Sequence, residues 1–208
     1  MQHGFLISFE GGEGGGKSTQ VRLLKEHLEK EGFSVLAARD NGGTEIGEHI
    51  RSLVLAPERT SMSFRAEALL LQASRAQSYE EVVLPGLKSG TVVLMDRTRD
   101  SSVVYQGLVR GFGKAFIEEL NNFSTQETLP NLTFLLDVDV KTGMYRREQL
   151  GALDRFEIEK KDFHEKIRQA YLDLAKINDH DRWVVIDANQ SLEAVEKKIW
   201  EIVDEQLQ

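Results

Sequence analysis

The 208-residue chain contains no cysteine. That excludes a disulfide framework and any thiolate metal site, and it fits a cytoplasmic location. No apolar run approaches the ~20 residues needed to span a bilayer. The opening MQHGFLISFEGGEGG carries no basic leader, so no signal peptide is expected. Proline is scarce, with three in the chain, and no stretch reads as a linker, repeat or low-complexity tract. A single domain over 1–208 is the expectation. Positive charge is in deficit: 26 Lys and Arg against 34 Asp and Glu leave a net charge of −8. Nucleic acid and membrane surfaces are therefore not expected partners, because phosphate polyanions are repelled on average. A small anion in a local basic pocket is still compatible with that balance. The five histidines, His3, His27, His49, His164 and His180, lack metal-ligand spacing. His164 reads as a surface or interface residue, and Trp183 and Trp200 as packing.

What the chain does have is alternation. Phe5–Phe9, Ser34–Ala38, Thr91–Met95, Leu132–Leu136 and Trp183–Ile186 are short apolar runs that read as strands. Val21, Leu24 and Leu28 recur at helical spacing until Gly32. Further helices are expected near 46–54, 62–84 (closed by Pro85-Gly86), 101–110, 114–123, 139–149, 156–177 and 191–206. Five almost wholly apolar strands separated by helices imply an α/β fold with a parallel sheet flanked by helices in three layers. Ligands of such sheets bind beyond the carboxyl ends of the strands, so the polar residues just after each strand carry the information.

After the first strand stands Gly11-Gly12-Glu13-Gly14-Gly15-Gly16-Lys17-Ser18, a G-x-x-x-x-G-K-[ST] loop between a strand and a helix. Glycines let successive backbone N–H groups converge on phosphate oxygens, and the helix N-terminus adds favourable potential. Lys17 reaches the terminal phosphates of a nucleoside triphosphate, and the Ser18 hydroxyl suits Mg²⁺. Five of the 17 glycines fall within these few positions. After the third strand, Asp96 is suited to hold a Mg²⁺-bound water or to orient an acceptor, and Arg97 beside it suits a second phosphate. Arg39 and Arg75 join Arg97 as candidates to grip an acceptor phosphate through bidentate contacts.

These residues resemble the thymidylate kinases of bacterial type. Phe9 to Gln20 looks like that family's phosphate loop, including Thr19. Arg39-Asp40-Asn41-Gly42-Gly43-Thr44 stands at its R-E-P-G-G-T, and Ala73-Ser74-Arg75-Ala76-Gln77 at its A-x-R-A-Q. Asp96-Arg97 with Asp100 to Gly107 resembles D-R-Y-x-D-S-S-x-A-Y-Q-G, and Pro130 to Val138 resembles P-D-L-T-x-L-L-D-V. Asp154-Arg155-Phe156-Glu157 and Phe163 to Arg168 resemble D-R-x-E and F-x-x-x-V-R. The resemblance implies the P-loop nucleoside monophosphate kinase fold and phosphoryl transfer from ATP, with Mg²⁺, to a deoxypyrimidine 5′-monophosphate, foremost thymidylate. It implies that Lys17 cradles ATP phosphates, that Ser18 and Asp96 attend to Mg²⁺, and that Glu13 lies near the acceptor sugar and phosphate. Arg39 and Arg97 would hold the acceptor phosphate and Arg75 read the base carbonyl edge. Ser101, Ser102 and Gln106 would belong to the acceptor pocket, with Tyr105 against the sugar. A homodimer packed through long helices is also implied.

The chain departs from the family's pattern at several positions. Asn41 replaces a proline, which is expected to free that turn. Thr98 replaces a tyrosine, so an aromatic is missing near the acceptor. Leu71 stands where a phenylalanine stacks on the base, and it is expected to cover a base face without the aromatic quadrupole. Val104 replaces alanine. The lid, about 141–155, offers Arg146 and Arg147 as the cations for the transferring phosphate, with Arg155 third, while Glu148 and Leu150 stand where further arginines are common. Asn41, Leu71 and Thr98 leave open a pyrimidine nucleotide acceptor other than thymidylate, and the weakened lid leaves open a nucleotide-binding regulator without turnover. A deoxynucleoside kinase acting on a free hydroxyl is a further alternative, which would give no reason for arginines around an acceptor phosphate.

Overall fold

A computed structural model describes residues 4–177 and 181–207; His3 and His180 lie outside them. The chain runs β1 (Phe5–Glu10), α1 (Lys17–Lys30), β2 (Val35–Arg39), α2 (Glu45–Leu55), α3 (Phe64–Ser78), α4 (Leu84–Lys88), β3 (Val92–Asp96), α5 (Arg99–Ser102), α6 (Lys114–Thr125), β4 (Leu132–Asp137), α7 (Val140–Glu148), α8 (Lys161–Ile177), β5 (Trp183–Asp187) and α9 (Leu192–Leu207). The five strands form one parallel sheet in the order β2-β3-β1-β4-β5. It is the three-layer α/β architecture that the alternation of strands and helices predicts.

Neighbouring residues of β1 face opposite sides, as strand geometry requires. Ile7 and Phe9 pack with Leu24 and Leu28 of α1 and Ile199 and Val203 of α9. Leu6 faces the other side and packs with Tyr79, Val83, Val93 and Met95. A second cluster on that side joins Leu71, Tyr105, Ile117, Phe156 and Tyr171. The register pairs Phe9 with Asp96, Arg39 with Asp96, and Asp137 with Asp187. The carboxyl ends therefore line up along one edge, and the phosphate loop begins there.

Several boundaries differ from the periodicity. The stretch expected to stop at Pro85-Gly86 runs on to Lys88, because Pro85 sits in the first turn of α4, where a missing N–H removes no needed bond. The α3 and α4 helices are joined by a π-helical turn, Tyr79–Val83, and a second such turn, Val103–Val109, follows α5. The helix expected from 156 starts at Lys161. Ahead of it the Asp154 carboxylate accepts from the Phe156 and Glu157 backbone N–H groups at 2.8 and 3.0 Å, which holds a turn instead. His164 is buried on α8, not on the surface. Trp183 is buried in the core, and Trp200 stacks on His27 at 3.7 Å between ring centroids.

Candidate active site

A cleft of about 380 Å³ opens at the carboxyl edge of the sheet. Its floor is the phosphate loop. Gly14 and Gly16 take left-handed conformations, at φ 66° and 87°, which side chains disfavour. Gly14 lies against α7: a Cβ there would collide with the Gly143 carbonyl, and one on Gly143 with the Glu13 carbonyl. Lys17, at the start of α1, is buried and donates to the Gly11 and Gly12 carbonyls at 3.2 and 2.7 Å. Burial, then the Arg97 charge, pulls its ammonium below the ordinary lysine value. Thr19 also lines the cleft. The neighbouring Ser18 hydroxyl donates to Asp96 Oδ2 at 2.5 Å, joining the loop to the end of β3. A hydroxyl and a carboxylate side by side are hard oxygen donors of the kind Mg²⁺ takes.

Arg97 follows Asp96 with φ 68°, unusual for a residue with a Cβ. The turn is held by its N–H on the Phe9 carbonyl at 2.9 Å and by the Thr98 N–H on Glu10 Oε1 at 2.7 Å. The guanidinium donates to the Gly11 carbonyl at 2.9 Å and to Glu13 Oε1 at 2.7 Å. The Tyr105 hydroxyl donates to the same Glu13 oxygen at 3.0 Å. Burial alone would raise the Glu13 carboxyl. Arg97, Lys17 and the Tyr105 hydroxyl outweigh it and hold its pKa at about 2. Glu13 is therefore an anion at any working pH, suited to accepting hydrogen bonds.

Beneath them Glu10 is completely buried. It accepts from the Ser101 hydroxyl at 2.6 Å and the Tyr171 hydroxyl at 2.9 Å. Both hydroxyls also receive Arg97 Nη1, at 3.3 and 3.1 Å. Burial, then the Asp100 charge, pushes the Glu10 carboxyl above the usual carboxylate range. The inward turn explains Thr98. Its hydroxyl meets Ser8 at 3.0 Å and Glu10 at 3.2 Å, so position 98 faces the interior and not the acceptor. The expected loss of an aromatic from the acceptor pocket does not arise at this position.

The acceptor side of the cleft is lined by Arg39, Asn41, Leu71, Arg75, Ser101, Ser102, Tyr105 and Gln106. Arg39 is half exposed and pairs with Glu48 at 2.8 Å. The turn after it is not free: the Gly42 N–H donates to Ser74 Oγ at 3.2 Å, the Gly43 N–H to Glu48 at 2.8 Å, and Arg51 to the Asn41 carbonyl at 3.0 Å. Arg75 is fully buried. It donates to Asp40 at 2.5 and 3.1 Å, to Asn121 at 2.7 Å and to Ser102 at 2.9 Å. Much of its guanidinium is therefore committed to holding the pocket wall. Leu71 is buried beside it.

The expected lid arginines separate. Arg147 lines the cleft and is paired with Glu157. Arg146 turns away and donates to the Ala188 carbonyl at 2.8 Å. Arg155 is buried and donates to the Val54 carbonyl at 2.8 Å and to Glu67 at 2.7 Å, which removes it as a mobile cation. Sequence reasoning misses Arg51 and gives no role to Asp154 and Glu157 of the D-R-x-E segment, all three in the cleft wall. It also misses the bidentate pair of Arg168 with Asp137 at 2.7 and 2.9 Å, beyond the end of β4. For Arg51 burial, then the Arg39 charge, lowers the pKa, which marks two cations facing one region.

Comparison with known proteins agrees with this geometry. The family profile described as Thymidylate kinase matches residues 9–199. The thymidylate kinase of Protochlamydia amoebophila is 43% identical over 211 residues, covering 98% of this chain and 93% of that protein. That of Caldanaerobacter subterraneus is 42% identical, covering 98% and 97%. The crystal structure of thymidylate kinase from Ehrlichia chaffeensis superposes with a TM-score of 0.79 at 27% identity, covering 97% of this chain and 99% of that one.

Proposed function

This chain belongs to the thymidylate kinase family: it is a nucleoside monophosphate kinase that phosphorylates thymidylate to thymidine diphosphate with ATP, and we propose how its residues do so. The fold is accordingly the P-loop nucleoside monophosphate kinase fold. The relatives' activity favours thymidylate over another pyrimidine acceptor and over a regulator without turnover.

Phosphoryl transfer demands little covalent chemistry from a protein and much positioning and charge stabilisation. The glycine-rich loop from Gly11 to Gly16, with Lys17, Ser18 and Thr19, binds the ATP phosphates. Ser18 and Asp96 hold Mg²⁺, which neutralises charge on the phosphate oxygens when bound. Arg39, Arg51 and Arg97 hold the acceptor phosphate. Glu13 fixes Arg97 and, with Tyr105, accepts from or packs against the acceptor sugar. Leu71 covers the base, and Arg75, Ser101, Ser102 and Gln106 line its edge. Arg147 is the lid cation for the transferring phosphoryl group, within a lid over 141–155. Arg146 serves the lid's root at Ala188. One domain spanning 1–208 carries both substrates.

The observation that carries this reading is the Arg97 guanidinium, which donates to the Gly11 carbonyl and Glu13 of the phosphate loop and also reaches Ser101 Oγ at 3.3 Å and the Tyr105 hydroxyl at 3.4 Å, so that one cation joins the donor cradle to the acceptor pocket. The test is ADP release with ATP alone, with ATP plus thymidine, and with ATP plus nucleoside monophosphates. Release with thymidylate foremost supports the reading. Equal release with thymidine or with water as acceptor overturns it.

No described helix is long and apolar enough to cross a membrane. The two nucleotide substrates support a cytoplasmic site of action. A homodimer is supported by the apolar side chains left uncovered on α3 and α6: Leu69, Phe116 and Phe123 are 59%, 50% and 87% exposed. Sedimentation of the wild type against Phe123→Asp tests it, a monomeric wild type being the adverse result.

A further inference from the structure

We propose that Glu67 is a positioning residue that sets the hydrogen-bonding polarity of the base pocket by holding the Gln106 amide with its carbonyl oxygen toward the cleft; this rests on the thymidylate kinase reading above. Glu67 lies on α3 and is completely buried. Its Oε2 receives Arg155 Nη2 at 2.7 Å, and Arg110 Nε lies 3.7 Å from its Oε1. A carboxylate between two guanidinium groups only accepts hydrogen bonds. Gln106 Nε2 donates to that Oε1 at 2.9 Å.

A glutamine amide in an unbiased pocket presents either its oxygen or its nitrogen. Turning this one over sets a carbonyl against a buried carboxylate, acceptor against acceptor, and leaves the carboxylate short of a donor. The Gln106 carbonyl oxygen is thus committed to the opposite direction. Among the described residues no donor meets that oxygen, and Gln106 lines the cleft beside Leu71, Arg75 and Ser102. A fixed acceptor there matches a pyrimidine with an imino N–H, as in thymine. A cytosine ring offers a lone pair at that position and meets an acceptor. Sites with committed polar groups reject mismatched analogues far more strongly than apolar pockets do.

The experiment compares kcat/KM for thymidylate and deoxycytidylate in the wild type and Glu67→Gln, at saturating ATP. The expected result is a discrimination ratio at least about tenfold lower, carried in KM, with kcat for thymidylate changed less than about threefold. Equal loss on both substrates, with the ratio kept, assigns Glu67 a purely structural role and overturns the proposal. Where Glu67→Gln does not fold, Glu67→Asp keeps a negative charge for the arginines but draws the carboxylate back by one methylene, which breaks its contact with Gln106 Nε2, and it is read the same way. In a Gln106→Met background, Glu67→Asp should leave the ratio where Gln106→Met alone put it. A further fall there means that Glu67 acts by another route, which also overturns it. A wild type without thymidylate-dependent ADP release fails the kinase reading itself, whatever the variants do.

Discussion

Arg97 and Glu13 form a 2.7 Å ion pair between the turn after β3 and the phosphate loop. The depressed Glu13 pKa of about 2 makes this pair a source of stability with a defined pH window. A carboxyl with a lowered folded pKa stabilises above its unfolded value, near 4.5, and that contribution is lost as pH falls through the folded value. The urea midpoint of the wild type relative to Glu13→Gln should therefore stay level from pH 7 to 5 and narrow below about 4.5. A difference that already closes between pH 7 and 6 would assign the effect to another group.

Lys17 gives a second prediction. Lys17→Ala should lower kcat by about 10³-fold or more, with far-ultraviolet circular dichroism unchanged, since the cation serves the phosphates and not the core. The lowered Lys17 pKa moves loss of its charge toward lower pH. The alkaline limb of kcat/KM should accordingly lie below the pH at which an ordinary lysine titrates. Full activity retained by Lys17→Ala would refute the cradle assignment.

The Ser18–Asp96 contact predicts a metal requirement. Treatment with EDTA should abolish turnover and added Mg²⁺ restore it. Asp96→Asn should lower kcat by about 10²-fold or more and raise the Mg²⁺ concentration needed for half-activity. An unchanged Mg²⁺ titration in that variant would exclude Asp96 as a metal residue.

The arginines predict a division of labour. Arg39→Ala and Arg51→Ala should each raise the thymidylate KM about tenfold or more while leaving the ATP KM nearly unchanged. Arg147→Ala should lower kcat by at least about tenfold, and Arg146→Ala much less, because Arg146 is turned to the Ala188 carbonyl. Steady-state kinetics on the four variants decide it; a larger kcat effect from Arg146→Ala would reverse the lid assignment.

Strand ends and the phosphate loop are legible in the chain because there the local pattern and the chemistry coincide. Lys17 and Ser18 open a helix after an apolar strand, and Asp96 closes one, so topology alone delivers them to one edge. Arg51 is different. On α2 it sits beside Ile50 and reads as part of a solvated face until α2 is laid across the mouth of the cleft. Glu10 and Tyr171 are 161 positions apart, and no local rule pairs them. Thr98 misleads for a related reason: the left-handed Arg97 turns the next residue inward, and no periodicity predicts that turn. The π-helical turns at Tyr79–Val83 and Val103–Val109 also escape a 3.6-residue period, and the second carries Gln106.

The two facing glycines, Gly14 and Gly143, make the spacing between the donor cradle and α7 a property of backbone alone. With no side chain in between, that distance is insulated from the sequence drift that reshapes ordinary helix contacts. The root of the lid therefore bears on a gauge that only glycine at both positions keeps. A side chain at either position would push α7 away from the phosphate loop, and the lid that α7 carries would be displaced with it.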